Sequence, residues 1–324
     1  MSRREFRVNH LARDCLPRTG MATVPKFPTI PQLSILVPLT ADTVAFERTL
    51  ISVLEHRPQH SEVLVAHDGS YHDPYALGDE VRFVTSEHAG LSGLVVAGAD
   101  AARGRLVHVL AEGLEATSGW TVDASECFEH FDCGSVAPVI RNASTQKILA
   151  GGWSDFGGRA GQPRTDLEQR GRTGCYLQAS YWRRDLLRRL SKCFHGSNVD
   201  QVSDVFQRLN RQAGWKCEVA RDSTVLCSSE SLPWNHSTFA RGMRLGAVSN
   251  HFGNGSVINA ALSVAANLLR PHQLAEALGG LAAAMTSTDL QTSIDLSYLD
   301  DYENEGMIVK MPTRNASRTN RKAA

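Results

Sequence analysis

The stretch "HDGSYHDP" (67–74) gathers two imidazoles, two carboxylates and two hydroxyls around one glycine. At the end of a strand, the Asp68 carboxylate can accept hydrogen bonds from ligand N–H groups, with Ser70 beside it. The same residues also suit a plain Asp-Gly turn between two elements. His67 and His72 flank the turn, and a pair of loop histidines is more often incidental than a metal site. Two further stretches end apolar runs with polar groups. In "LVPLTAD" (36–42), Pro38 closes the run and Asp42 stands just beyond. In "VHVLAEGLEATSGW" (107–120), the run breaks into Ala111, Glu112 and Gly113, so it offers Glu112 and Glu115 but no aspartate.

These groups need elements to hold them. "SILVPL" (34–39) is a continuous apolar run, as in a strand buried on both faces. Asp42 or Thr43 can cap a helix whose Phe46, Leu50, Val53 and Leu54 share one face. "EVLVAH" (62–67), "VRFVT" (81–85) and "RLVHVL" (105–110) read as strands, with a helix marked by Leu91, Leu94, Val95 and Ala102 before the last. This alternation predicts an α/β fold with a mostly parallel sheet and helices on its faces. The second half is less regular. "GSVAPVI" (134–140) and "WKCEVA" (215–220) are strand candidates, and "AGGWSDFGGRAGQPR" (150–164) reads as a Gly-rich loop. "CYLQASYWRRDLLRRLSKC" (175–193) ends in a basic amphipathic helix, whose arginines read as a solvated face. Val202, Phe206, Leu209 and Ala213 mark another helix, closed by Gly214.

Composition narrows the function classes. The chain has 324 residues, 42% hydrophobic and 21% charged, with zero formal net charge. That is typical of globular proteins and gives no overall pull toward nucleic acid or anionic membrane. Seven cysteines include no C-x-x-C pair, so they read as reduced, mostly core residues. The N-terminus has no apolar core of a secretory leader, and no apolar stretch reaches the roughly 18–20 residues of a membrane span. A cytoplasmic location is the expectation. The expected organisation is a basic flexible tail over 1–32, an α/β domain over 33–230, a helical segment over 231–290 and a disordered tail over 291–324.

The order of these pieces resembles the family 2 glycosyltransferases, which have the GT-A fold. The resemblance rests on Val37-Pro38 with Asp42 beyond, on Asp68-Gly69-Ser70, on Ala102-Arg103-Gly104 before the fourth strand, and on Ser118-Gly119-Trp120. Downstream it rests on "WRRDLLRRL" (182–190) and on Ser203-Asp204, Arg208 and Gly214-Trp215. It covers roughly residues 33–226. It implies transfer of a hexosyl group from a nucleotide-diphospho-sugar to the hydroxyl of a glycan or other acceptor. It implies nucleotide binding by Pro38, Asp42, Asp68 and Ser70, with Asp68 on the base. It implies Asp204 as general base on the acceptor hydroxyl. It also implies a Mg or Mn ion on an Asp-x-Asp pair, offsetting charge on the departing diphosphate.

The pair is where this sequence departs. Ala111 and Gly113 stand at the two carboxylate positions, and neither side chain can ligate a cation. Glu112 is a weak substitute, because on an extended chain it points to the opposite side. His67 replaces another acid of the family. Without metal, cations such as Arg103, Arg105, Arg159 or Arg164 would have to meet the diphosphate. Two readings stay open: transfer through a non-standard site, or a catalytically inactive member that binds a nucleotide, a glycan or a partner. An unrelated nucleotide-binding α/β enzyme is disfavoured, since no Gly-rich phosphate fingerprint follows the first strand.

Overall fold

The computed structural model describes residues 31–299, except 89, 157–158, 169–172, 254–255 and 287–293. Most of both expected tails lies outside the described residues, as does Cys15. The first half runs β1 (Leu33–Pro38), α1 (Thr43–Glu55), β2 (Ser61–His67), β3 (Val81–Thr85), α2 (Leu91–Ala101), β4 (Leu106–Leu110), β5 (Leu114–Ala116) and α3 (Val122–Cys127). The second runs β6 (Cys133–Asn142), β7 (Ile148–Gly151), β8 (Trp153–Phe156), β9 (Arg159–Pro163), β10 (Ala179–Arg183), α4 (Arg184–Cys193), α5 (Val199–Gln212) and β11 (Lys216–Cys227). Three helices follow: α6 (Phe239–His251), α7 (Val257–Ala266) and α8 (Pro271–Met285). No helix among the described residues is long and apolar enough to cross a membrane.

One sheet organises the chain, in the order β3-β2-β1-β4-β10-β6-β11-β5, with β7 paired to β6. β3, β2, β1 and β4 are parallel, β11 is parallel to β6, and β10 and β5 run antiparallel to their neighbours. The period-2 alternation of side chains sorts the apolar runs onto two faces. Ile35, Val37, Val63 and Val65 pack with Phe46 and Leu50 of α1. Leu36, Leu64, Val107 and Val109 pack with α2, α4 and α5 on the other side. Burying Phe46 or Leu50 in this way contributes about 1.5–3 kcal/mol each. This is why the first strands are unbroken apolar runs: each must be apolar on both faces.

The approach to β4 is tight. A Cβ on Gly104 would lie 2.6 Å from the Ser34 nitrogen of β1, so only glycine lets the chain enter the sheet there. Trp120 is buried and its Nε1 donates to the His56 carbonyl at 3.2 Å. His108 of β4 stacks on Tyr181 at 3.6 Å between ring centroids. Burial pushes its imidazole down to about 3, so it is a neutral core residue.

The structure corrects one element. Where a loop is expected over 150–164, the described residues hold the end of β7 and the antiparallel strands β8 and β9, with 157–158 outside the described residues. The glycines hide the alternation, while Trp153 anchors the hairpin, buried with its Nε1 donating to the Cys175 carbonyl at 3.0 Å. Helix α7 is unusual in the opposite sense. Its apolar side chains face outward, with Ile258 72% and Leu262 62% exposed, while Ser263 and nearby Asn267 are buried.

Candidate functional site

The carboxyl ends of β1, β2 and β4 lie side by side, where open α/β sheets bind ligands. At the end of β1, Pro38 is buried and the Leu39 amide donates to the Ala66 carbonyl at 2.9 Å. Asp42 follows as the N-cap of α1, and its Oδ1 accepts from the Ala45 amide at 3.0 Å. One oxygen of this candidate is therefore engaged in capping.

At the end of β2, the buried His67 accepts from the Gly69 amide through Nδ1 at 3.1 Å, which assigns the proton of the neutral ring to Nε2. Asp68 is exposed. Its Oδ1 accepts from the Ser70 amide at 3.0 Å and from the Ser70 hydroxyl at 2.6 Å. These two bonds hold the carboxyl below its usual range, so Asp68 presents an ionised group fixed by an Asx turn. Tyr71 stacks on Phe83 at 6.0 Å and fixes the turn against the sheet.

At the end of β4, the Ala111 amide donates to the Gln178 carbonyl at 2.8 Å, and the Ala111 methyl is buried among apolar side chains. Gly113 has φ +84 and donates its amide to the Thr49 hydroxyl at 3.1 Å. The turn between them carries Glu112 across to the β1–α1 connection. Its Oε2 accepts from the Thr40 amide at 3.1 Å and the Ala41 amide at 3.3 Å, and its Oε1 accepts from the Thr40 hydroxyl. Glu112 thus clamps a loop, and both its oxygens are engaged.

The donor set does not fit a divalent cation at this strand end. Such an ion takes about six oxygen ligands, several of them carboxylates or carbonyls. Here Ala111 and Gly113 supply no side-chain ligand, Glu112 is committed to three donors, and Asp42 and Asp68 are held in a cap and a turn. Among the described residues, no group of three His, Cys, Asp or Glu side chains converges.

The candidate phosphate cations lie elsewhere. Arg103 and Arg105 precede β4 and so sit at the amino end of the sheet, away from the strand carboxyl ends. Arg164 is buried and donates to the Asp166 and Leu167 carbonyls and to the Thr173 hydroxyl. Arg159 faces Glu276, 3.8 Å from its Oε2. The basic helix is occupied too. Arg183 donates to the carbonyls of Phe128, His130 and Cys133, while Arg184 and Arg188 pair with Asp185 and Asp100.

Asp204 lies inside α5, 1% exposed. Its neighbour Ser203 accepts from the Leu177 amide at 3.1 Å, next to the Gln178 carbonyl that holds Ala111. Asp204 Oδ1 accepts from Arg208 Nε at 2.9 Å, and its buried Oδ2 has no hydrogen-bond partner. Arg208 also donates to the Ser249 hydroxyl at 3.0 Å and lies 3.6 Å from Asp155. Burial raises the Asp204 carboxyl to about 6, with the Asp155 charge adding and Arg208 opposing. A carboxylate held near neutrality can take a proton from a hydroxyl within reach.

Sequence reasoning missed a buried cluster beyond β9. Glu276 of α8, 2% exposed, accepts from Arg241 of α6 and from Gln162 Nε2 at 2.8 Å. Arg241 also donates to the Gly161 carbonyl at 2.8 Å. A cavity of about 220 Å³ opens beside it, between β8, β9 and helices α6, α7 and α8. None of its lining residues comes from the ends of β1, β2 or β4. One signal was available: Glu276 is the sole acid between residues 257 and 285.

No protein-family model and no curated protein sequence matches the chain. Solved structures do. The mannosyltransferase PcManGT from Pyrobaculum calidifontis, in complex with GDP-Man and manganese, matches with TM-score 0.50 at 17% identity, over 85% of this chain and 79% of that one. GalNAc-T7, with UDP, GalNAc and manganese, matches with TM-score 0.52 at 15% identity, over 85% of this chain and 54% of that one. S. aureus TarS 1-349, in complex with UDP-GlcNAc, matches with TM-score 0.51 at 11% identity, over 79% of this chain and 82% of that one. The chain has the GT-A fold. At these identities the likeness carries the fold alone.

Proposed function

We propose, with the GT-A fold as premise, that this chain receives a nucleotide-diphospho-sugar at the ends of β1, β2 and β4 and holds it without a divalent cation. It is then a glycosyltransferase-like binding protein in which metal-assisted transfer has been lost. The observation that carries this reading is the clamp made by Glu112. The sole acid of the Ala111-Glu112-Gly113 turn is engaged by Thr40 and Ala41. No carboxylate of that turn is left to hold a cation against a diphosphate. A metal Lewis acid stabilises a developing leaving-group charge by several kcal/mol. Losing about 4 kcal/mol slows the step about a thousandfold.

In this reading Asp68 accepts from the N–H groups of the nucleotide base. It is suited to that by its exposure, its ionisation and its fixed turn. Pro38, Asp42 and Ser70 shape the same edge. Calorimetry with UDP- and GDP-sugars, with and without manganese, tests the proposal. The expected result is weak binding that manganese does not strengthen and that Asp68→Ala weakens further. Tight, manganese-dependent binding overturns it, and so does an absence of binding in both conditions.

A second reading has one observation in its favour. If transfer occurs, Asp204 is the base, because its Oδ2 has no hydrogen-bond partner and burial raises its carboxyl to about 6. The acceptor oxygen then bonds to the anomeric carbon, the bond from that carbon to the diphosphate breaks, and the hydroxyl proton passes to Asp204. Asp204→Asn abolishes transfer on this reading and leaves donor binding intact. Transfer that survives the substitution removes Asp204 as the base.

A further inference from the structure

Residues 256–269, "SVINAALSVAANLL", carry no charged side chain and hold α7 with the turn that follows it. Ile258, Leu262 and Ala265 stand at i, i+4 and i+7, on one helical face, and that face is exposed. Leu269 continues the spacing beyond the helix end and is 96% exposed, with the exposed Leu268 beside it. The inward side is the polar one, where Ser263 and Asn267 are buried. The turn itself is ordered. Asn267 donates from Nδ2 to the Ser263 carbonyl at 2.7 Å, the Arg270 amide donates to the Asn267 carbonyl at 2.9 Å, and Pro271 opens α8. A surface helix ordinarily turns its apolar stripe inward, and a contiguous apolar patch left outside marks an interaction site.

Charge and area select what covers this face. From residue 231 to 286 the sequence has one acid, Glu276, which is buried and paired with Arg241. The outer surface of α7 and α8 therefore presents no carboxylate. Arg270 and His272, both exposed, follow the Leu268-Leu269 tip directly. An apolar ridge edged by a cation and free of carboxylates complements a layer of anionic lipid headgroups. A second copy of the chain suits it less. Val257, Ile258, Leu262, Leu268 and Leu269, each half to almost fully exposed, offer roughly 200–400 Å² of apolar side chain. A specific protein interface needs about 800 Å² per partner. A projecting tip also needs a matching groove on a protein, whereas a bilayer yields and takes in an apolar face to a depth of about 5–10 Å.

We propose that α7 and the Leu268-Leu269 turn dock this chain on an anionic lipid surface, as a peripheral contact and not a span. Leu262, Leu268 and Leu269 enter the acyl boundary, and Arg270 meets the headgroup phosphates. The inference does not rest on the nucleotide-sugar reading, because none of these residues lies at the ends of β1, β2 or β4.

The test is co-sedimentation of the full chain with vesicles of phosphatidylcholine and phosphatidylglycerol in equal parts, and with vesicles of phosphatidylcholine alone. The expected result is a bound fraction that saturates with the mixed lipid and is smaller with phosphatidylcholine. Leu268→Ser combined with Leu269→Ser weakens partition into the mixed vesicles at least about tenfold, or about 1.4 kcal/mol. Leu262→Ser weakens it too, at a separate point of the same face. These side chains are exposed, so the substitutions leave the core untouched. Arg270→Gln weakens binding to the mixed vesicles alone. The sequence is also basic at its ends, and binding through those ends would survive the leucine substitutions. Light scattering of the lipid-free protein reports whether a second copy covers the face instead. Four results overturn the inference: no sedimentation with either vesicle; binding that no leucine substitution weakens; binding to the mixed vesicles that Arg270→Gln leaves unchanged; or a dimer in the absence of lipid that Leu268→Ser with Leu269→Ser dissociates.

Discussion

Substituting Glu112→Ala will loosen the β1–α1 connection without unfolding the sheet. The carboxylate accepts from two amides and one hydroxyl, across 72 positions of sequence to Thr40. Hydrogen bonds to a charged group contribute about 1.5–3 kcal/mol each where they are buried. These bonds are on the exposed side of the sheet, where water replaces them, so the three together contribute about 1–2 kcal/mol. Glu112→Gln keeps one acceptor oxygen and should lose about half of that. Urea denaturation gives the global loss, and amide hydrogen exchange at Thr40 and Ala41 gives the local one. Exchange at these two amides should accelerate by about tenfold, since 1.4 kcal/mol is a factor of ten. Unchanged exchange and unchanged stability would mean that Glu112 is not clamped. It would then be available to a cation, and the metal-free reading of the strand end would fail.

Other consequences can be checked in the same preparations. Burial pushes the Asp204 carboxyl from its ordinary 3.8 up to about 6, so the folded state binds its proton more tightly than the unfolded chain. Stability from this group is therefore full below about pH 4, falls as pH rises through about 6, and is flat above, a loss of up to about 3 kcal/mol. The groups facing it are Arg208, Asp155 and Arg211. Asp204→Asn should flatten that interval in a urea-denaturation series, and a slope equal to the parent's contradicts the assignment. Gly104→Ala and Gly113→Ala should differ in kind. The first meets the β1 backbone at 2.6 Å and should cost about 1–3 kcal/mol or more. The second meets nothing within 4 Å and should cost about 1 kcal/mol for its positive φ alone. Equal losses in thermal melts would refute the distinction.

What could be read from the sequence was what neighbouring residues decide. β1 to β4 are legible because burial on both faces demands unbroken apolar runs, and α1 because Asp42 sits at its cap. The β8–β9 hairpin was not legible, since glycines remove the alternation that marks a strand and Trp153 finds its anchor 22 residues away at Cys175. The polar turn at Asp68 is local and reads directly. The direction of Glu112 is not local, because Thr40 captures it from a distant loop. The cluster around Glu276 is hidden for the same reason, as its partners Arg241 and Gln162 stand 35 and 114 positions away. Asp204 shows both limits: its helix is periodic and legible, while its burial depends on Arg208 meeting α6.

Manganese binding tests the central claim most directly. Titrating the chain, saturated with UDP, into a manganese solution and following the electron paramagnetic resonance of the free ion reports occupancy without reference to turnover. The metal-free site predicts a free-ion signal that falls no further with this chain than with UDP alone. A stoichiometric loss of that signal, abolished by Glu112→Ala, would contradict it.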